Sequence, residues 1–225
     1  MKNKGLFQRF EDVWILDGVR TPMVDYLGAL GDASPTDLGI KVAREVLGRT
    51  EIAPARVDAV LCGNVAPGDF DHFFLPRHIG LYAGVPQAVP ALLVQRICGT
   101  GFELFRQAAE QITAGVASIA LVVGAESMTR HPIAAFKHRQ GVKLGEALGF
   151  KDLLWESLQD PAAGVSMIQT AENLAQRYGI SREDVDRFAA RSFERAVAAQ
   201  ESGWLADEIV PVADESFELE GYKTR

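Results

Sequence analysis

The chain has 225 residues, 48% of them hydrophobic and 24% charged, with 23 basic against 30 acidic side chains and a formal net charge of -7. That composition is ordinary for a globular protein and leaves room for one large domain, or a domain plus a substantial second unit. The acidic excess offers no general attraction to nucleic acid or to an anionic membrane surface, which argues against both as partners.

Taken in chain order, Val13–Leu16 reads as a first strand. It is the only apolar run before the next turn and is too short for a signal-peptide core; Glu11 and Asp12 argue against a transit peptide. No stretch approaches the ~20 apolar residues that span a bilayer, and the cytoplasm is the default location. Ser34-Pro35-Thr36-Asp37 looks like a helix start, with Ser34 as N-cap and Pro35 at the first helical position. Leu38, Val42, Ala43, Val46 and Leu47 then recur at helical spacing. Val57–Cys62 is a second apolar run ended by Gly63-Asn64, and a helix is expected around Phe73 to Tyr82. Pro90–Ile97 is a third extended segment, and Gly99–Ala114 a helix with Phe102, Phe105, Ala109 and Ile112 on one face. Ser118–Val123 is the cleanest buried strand. Short apolar runs alternating with amphipathic stretches predict βαβ units around a mixed, partly parallel sheet. After Gly124 the pattern changes. Met128 to Pro161 shows no clear strand, while Thr170–Tyr178 and Arg182–Glu201 are strongly helical, the second opening with a Ser181…Asp184 capping box. Glu208–Val212 is a candidate short strand, and the final Phe217–Arg225 reads as an exposed peptide. The expected division is an α/β domain over 1–127, carrying Cys98, and a mostly helical domain over 128–225.

Two cysteines, Cys62 and Cys98, are too few for a disulfide framework or a thiolate metal site; a reducing compartment fits, and no metal is expected. Cys62, inside Ala-Val-Leu-Cys-Gly, reads as core. Cys98 sits between an extended run and a helix start, in Gln95-Arg96-Ile97-Cys98-Gly99-Thr100-Gly101. A helix N-terminus carries partial positive charge that favours a thiolate, and the flanking glycines permit close approach of a bulky substrate. Sulfur is a natural acyl acceptor, because thioesters form and break under mild conditions. On spacing alone, a small buried hydrophobe is the commoner role for such a cysteine. The four histidines, His72, His78, His131 and His138, stand in polar or loop-like stretches and read as structural. Glu51, Asp58, Asp69 and Asp71 lie in turn-like sequence and read as solvent-facing; the glycine-rich stretches form no phosphate loop.

Cys98-Gly99-Thr100-Gly101, preceded by Arg96 and followed by an amphipathic helix, resembles the active-site cysteine motif of thiolases, where Asn-Arg-x-Cys-Gly-Ser-Gly is common. Asp17-Gly18-Val19-Arg20-Thr21-Pro22 looks like the end of that family's first strand, and Gly63-Asn64-Val65 like its next strand-to-loop junction. Gly124-Ala125-Glu126-Ser127-Met128-Thr129-Arg130 is similar to its Gly-x-Glu-Ser-Met-Ser segment. Thr170-Ala171-Glu172-Asn173 and Tyr178-Gly179-Ile180-Ser181-Arg182-Glu183 match its loop domain. These elements follow the family order and cover almost the whole chain.

The resemblance implies an acyltransferase that makes or cleaves 3-ketoacyl-CoA by a ping-pong route, of the acetyl-CoA C-acetyltransferase type. Cys98 would be acylated as a thioester and resolved by CoA or a second acyl-CoA. Coenzyme A thioesters would be substrates, with no bound cofactor. The implied fold is an α/β thiolase N-terminal half plus a loop domain that helps bind CoA. Met167 matches a methionine bordering the acyl pocket; Ser166 stands where many thiolases carry His, so CoA contacts there would differ. The family's Gly-His-Pro histidine, its Cys-x-Gly cysteine and its Asn-Glu-Ala-Phe segment belong to a second half and do not occur in these residues. The expectation is therefore part of a longer or two-chain enzyme, partnered by a complementary C-terminal half or assembled as a homodimer or homotetramer. The alternative is a non-catalytic acyl-CoA-binding or scaffolding subunit; a decarboxylating ketosynthase relative ranks lower, because Gly-Ala-Glu-Ser-Met and Thr-Ala-Glu-Asn are thiolase-like.

Overall fold

A computed structural model describes residues 8–225. The chain divides into two compact units, one formed by residues up to Arg130 together with Val210–Arg225, the other by His131–Ile209. The sequence boundary near residue 127 falls close to the first junction, but the final segment belongs with the first unit.

The first unit is built on β1 (Ala59–Gly63), β2 (Ala91–Val94) and β3 (Ala120–Gly124), a parallel sheet of order β2-β1-β3. Its register sets Cys62 opposite Leu93 on one side and Val123 on the other. All five residues of β1 are buried, as expected of a central parallel strand covered on both faces, where the hydrophobic run need not alternate. Val60 and Cys62 pack with Ile40, Ala43, Leu75 and Ile79 of α1 (Pro35–Arg49) and α2 (Leu75–Tyr82). Ala59 and Leu61 face Leu104 and Ala108 of α3 (Thr100–Thr113) on the other side. Burying a Leu or Ile side chain contributes about 1.5–3 kcal/mol, and Ile40, Leu61 and Ile79 are fully buried. Helix α1 begins as its sequence predicts: Ser34 Oγ accepts from the Asp37 N–H at 3.0 Å, with Pro35 following.

Several expectations do not hold. Val13–Leu16 runs extended but joins no ladder, and Trp14, Ile15 and Leu16 are exposed. A cavity of about 410 Å³, lined by residues 12–19, Ser118–Val123 and the Phe105, Ala109 and Ile112 side chains, lies beside that segment. Strand β3 bonds β1 through Ile119 and Ala125 at its two ends. With a side-to-side period of two, Ala120, Val122 and Gly124 turn their N–H and C=O groups toward the cavity side. The apolar face expected on α3 holds in part. Ala109 is buried and Ile112 packs against the core, whereas Phe102 and Phe105 are exposed and Thr100, Leu104 and Ala108 are buried beside them. Glu208–Val212 forms no strand; the Val210 N–H donates to the Arg20 carbonyl at 2.8 Å as a single rung.

Phe217–Arg225 keeps most of its residues exposed, as expected, but Phe217 and Arg225 dock it onto the first unit as a closing element. Phe217 is buried beneath the Arg44 guanidinium, 5.0 Å from its ring centroid. Phe217 and Arg225 exchange backbone hydrogen bonds of 2.6 and 2.9 Å, and the Tyr82 hydroxyl donates to the Lys223 carbonyl at 2.5 Å. Asp71, expected to face solvent, instead joins Arg225 at 2.6 Å and His78 at 2.9 Å. The pairs formed by Asp71 with His78 and Arg225 hold its carboxyl below its usual range, against the opposing effect of partial burial.

The second unit contains two short antiparallel ladders that its sequence did not suggest. They are β4 (Ile133–Ala135) with β5 (Phe150–Asp152), and β6 (Gln159–Asp160) with β7 (Val165–Ser166). Asp152 caps α4 (Leu153–Ser157). Helix α5 (Met167–Tyr178) ends at Gly179, whose φ of 64° is the left-handed conformation glycine adopts without strain. Helix α6 (Arg182–Glu201) has the expected Ser181–Asp184 capping box and intrahelical pairs such as Arg182–Asp186 at 2.5 Å. No helix of the described residues is long and apolar enough to cross a membrane.

Replacing Phe217 by Ala should therefore cost about 3 kcal/mol of first-unit stability, measured by urea denaturation; a solvent-exposed tail would show almost no change.

Candidate active site

Parallel strands bring their carboxyl ends to one edge of a sheet, where ligands of α/β proteins bind. Here that edge carries Gly63-Asn64 after β1, Gln95–Gly99 after β2 and Gly124-Ala125-Glu126 after β3. The first and third junctions lock together. Asn64 Nδ2 donates to the Ala125 carbonyl at 2.7 Å and to Glu126 Oε1 at 3.0 Å, and the Val65 N–H donates to Glu126 Oε2 at 2.7 Å. Arg130 fastens the next turn, donating to the Gly68 carbonyl at 2.9 Å and pairing with Asp69 at 3.0 Å.

Between β2 and α3 the chain makes a tight elbow with Cys98 exposed on it. Ile97, immediately before the cysteine, has φ 47°, a genuine outlier for a β-branched residue that persists only where the surroundings impose it. Three bonds do so. The Gly99 N–H donates to the Arg96 carbonyl at 3.0 Å, the Thr100 N–H donates to the Ile97 carbonyl at 3.1 Å, and the Arg96 N–H donates to Thr100 Oγ1 at 2.8 Å. A glycine is required on β1 opposite this turn. A Cβ on Gly63 would sit 2.5 Å from Thr100 Cγ2 and 3.0 Å from Leu104 Cδ1, so its absence lets α3 start against the strand. A Cβ at Gly101 would meet nothing within 4 Å, which leaves open space at the second residue of the helix.

Glu103, one turn along α3 and buried at 7% exposure, anchors the elbow from below. Arg96 Nη1 reaches it at 2.7 Å, Arg106 Nε lies 3.1 Å from both its oxygens, and Gln107 Nε2 donates at 2.9 Å. Hydrogen bonds from Arg106, Gln107 and Arg96 hold its carboxyl far below the usual range. Cys62 is the opposite case: it is fully buried in the sheet, and desolvation pushes its thiol well up, away from the reactive thiolate.

The other candidates fall where their local chemistry puts them. His78 pairs with Asp71 and stacks on Phe74. His72 packs edge-on against Phe73, and desolvation lowers its pKa. His138 Nδ1 is 2.8 Å from the Ala135 carbonyl. Asp58 accepts the Ser118 and Ile119 N–H groups at 2.8 and 3.0 Å, fastening the start of β3. In the second unit Ser166 is the N-cap of α5, its Oγ accepting from the Gln169 N–H at 3.2 Å, and Met167 opens the helix half exposed. Sequence reasoning missed Ile97, Thr100 and Glu103. A charged Glu103 at helical spacing from Thr100, within a stretch that also supplies Arg96 and Arg106, was the available signal.

Residues 13–221 match the family described as Thiolase, N-terminal domain. The chain belongs to the thiolase family. It is 38% identical over 200 residues to the human mitochondrial 3-ketoacyl-CoA thiolase, covering 89% of this chain and 50% of that protein. A beta-ketothiolase of Cupriavidus necator is 39% identical over 201 residues, covering 89% of this chain and 51% of that one. The crystal structure of the human mitochondrial enzyme in complex with CoA superposes with a TM-score of 0.85 at 37% identity, over 89% of this chain and 51% of that chain. The chain thus spans about half the length of the thiolases it matches, and its fold is the α/β N-terminal half of a thiolase.

The electrostatics of this thiolase elbow give a pH prediction. Because Glu103 has a lowered folded-state pKa, its contribution is present above the ordinary carboxyl range and is lost as pH falls through the folded value. Urea midpoints measured from pH 7 down to about pH 3 should decline more steeply for wild type than for Glu103→Gln, which already lacks the charge at every pH. Parallel declines would show that the carboxylate is not held as described.

Proposed function

We propose that this chain is the nucleophile-bearing half of a thiolase-type acyltransferase, working within a longer or two-chain enzyme that makes or cleaves 3-ketoacyl-CoA. The observation that carries the reading is Cys98, exposed on a strained elbow at the edge where three parallel strands end. The names of the related enzymes, 3-ketoacyl-CoA thiolase and beta-ketothiolase, support the reaction class, and a CoA complex of one of them supports CoA as the handle.

In the cleavage direction the Cys98 thiolate attacks the ketone carbon of a 3-ketoacyl-CoA. The bond from that carbon to the α-carbon breaks, and its electron pair leaves as the enolate of acetyl-CoA, which takes up a proton. The thiol of free CoA then displaces Cys98 from the acyl group, losing its proton and returning the enzyme thiolate. Condensation runs the same steps backwards. Backbone N–H groups at the start of α3 favour the oxygen that gains charge during attack. The open space at Gly101 admits an acyl thioester close to the backbone. Met167 and Ser166, at the start of α5 in the second unit, are the residues proposed for substrate contact, on the resemblance of their segment to the family's.

The proton carrier is supplied from outside these residues. His78 is committed to Asp71, and His72 is driven toward its neutral form beside Phe73. The one-sided edge of β3 and the cavity beside it are the surface on which further polypeptide would seat. That polypeptide is a complementary C-terminal thiolase half, in the same chain or a second one, in a homodimer or homotetramer.

The intact mass of the chain should rise by one acetyl group on brief incubation with acetoacetyl-CoA, and Cys98→Ser should abolish the rise while Cys62→Ser retains it. If the folded wild-type chain takes no adduct, alone or mixed with a thiolase C-terminal half, the non-catalytic acyl-CoA-binding reading replaces this one.

A further inference from the structure

Helix starts commonly place Ser or Thr at the N-cap, where the hydroxyl accepts from the second or third helical N–H. Helix α3 does otherwise. Its N-cap is Gly99, with no side-chain cap, and its hydroxyl residue is one position later. Thr100 Oγ1 turns backwards into the elbow, accepting from the Arg96 N–H at 2.8 Å and donating to the Ile97 carbonyl at 2.6 Å. Both bonds straddle Ile97, whose φ of 47° opposes its β-branched side chain. Thr100 is itself 8% exposed, and its methyl fills the space left by the missing Gly63 side chain. Threonine ordinarily divides between two rotamers, but with the methyl seated against Gly63 and both hydrogen bonds made, the hydroxyl is aimed rather than free to rotate.

We propose that Thr100 is a positioning residue for Cys98: its hydroxyl clamps the strained Ile97 conformation and thereby fixes the cysteine at the start of α3. The inference rests on Cys98 being the nucleophile, but the clamp can be read without acyl transfer. In Thr100→Val the methyl packing remains and both hydrogen bonds disappear; in Thr100→Ser the bonds remain and the methyl is lost. Ile97→Gly removes the conformational cost that the clamp opposes.

The test is the rate of Cys98 alkylation by iodoacetamide near neutral pH on the full chain. Peptide mass identifies the modified residue, and circular dichroism and urea midpoints report the fold. Losing both hydrogen bonds should shift the elbow toward relaxed conformers and slow Thr100→Val about tenfold or more. Thr100→Ser should stay within about twofold of wild type, and Ile97→Gly/Thr100→Val should recover most of the lost rate. A folded Thr100→Val alkylated at the wild-type rate would overturn the proposal. So would a Thr100→Ser variant as slow as Thr100→Val, or a double variant no faster than Thr100→Val. If Thr100→Val does not fold, Ile97→Gly alone and in the double variant are compared instead: equal rates support the clamp, and a slower double variant overturns it. Alkylation needs neither CoA nor a protein base, because buffer takes the thiol proton and iodide leaves, so failure of the acyltransferase reading would appear only in the acetoacetyl-CoA experiment.

Discussion

The close approach of Thr100 to the Cα of Gly63 is the contact from which the site is built. Strand β1 is covered on both faces, so every side chain it carries takes up space that a helix must yield. At Gly63 the strand gives that space back, and Thr100 and Leu104 move into it. Helix α3 can then begin within a few residues of the end of β2, and only a sharp turn spans so short a gap. Ile97 absorbs the turn in its backbone, and Cys98 is left exposed at its apex. Filling Gly63 with a methyl would push α3 outward from the sheet and lengthen the path that the elbow must cross. The crowding at β1 and the exposure of the thiol are therefore one geometric fact seen from two sides.

Charge reinforces what packing begins. Burying Glu103 would be unfavourable unless its carboxylate were fully paired. Arg96 from the elbow, Arg106 from the helix and Gln107 supply those partners. Because Arg96 lies two residues before Cys98, satisfying Glu103 also ties down the elbow. The same logic on the opposite face draws Asp71, His78 and Arg225 together and brings the final segment back onto α1 and α2. The two cysteines show what environment does to one functional group. Cys62 is held neutral by burial between sheet and helices, and Cys98 stands in solvent beside a helix terminus.

Much of this was legible in the sequence because it depends on local chemistry. The Ser34-Pro35 start of α1, the span of α6 with its capping box, and the three strands β1 to β3 follow from residues that act within one turn or one ladder. The order of Gly63-Asn64, Cys98-Gly99-Thr100-Gly101 and Gly124-Ala125-Glu126 also exposed the family. What sequence could not show depends on long-range partners. Phe217 and Arg225 read as an exposed tail because Arg44, Tyr82 and Asp71 are more than a hundred positions away. Phe102 and Phe105 read as core because apolar spacing cannot say how far round a helix its buried stripe extends; Leu104 and Ala108 join Ala109 and Ile112 against the sheet, and the two phenylalanines stay outside. The strain at Ile97 left no mark in composition, since isoleucine is ordinarily the wrong residue for a positive φ.

Val13–Leu16 has strand composition without a strand's bonds, and this too has a physical cause. A strand is stable through its neighbours, not through propensity alone. On the cavity side of β3, Ala120, Val122 and Gly124 hold peptide groups that none of the described ladders uses. Residues 12–19 line the same cavity, Val13–Leu16 join no ladder among the described residues, and Trp14, Ile15 and Leu16 remain exposed. Near that edge the buried Asn64 Oδ1 is an acceptor without a hydrogen bond among the described residues, a state that costs about 1–3 kcal/mol until a donor arrives. The cavity side of β3 is thus an edge that none of the described ladders pairs. The elbow of Cys98 differs in being complete already: Thr100, Glu103 and Gly63 all lie within the described unit. Cys98 is thus placed by residues of its own unit, while the cavity-side edge of β3 enters none of the described ladders.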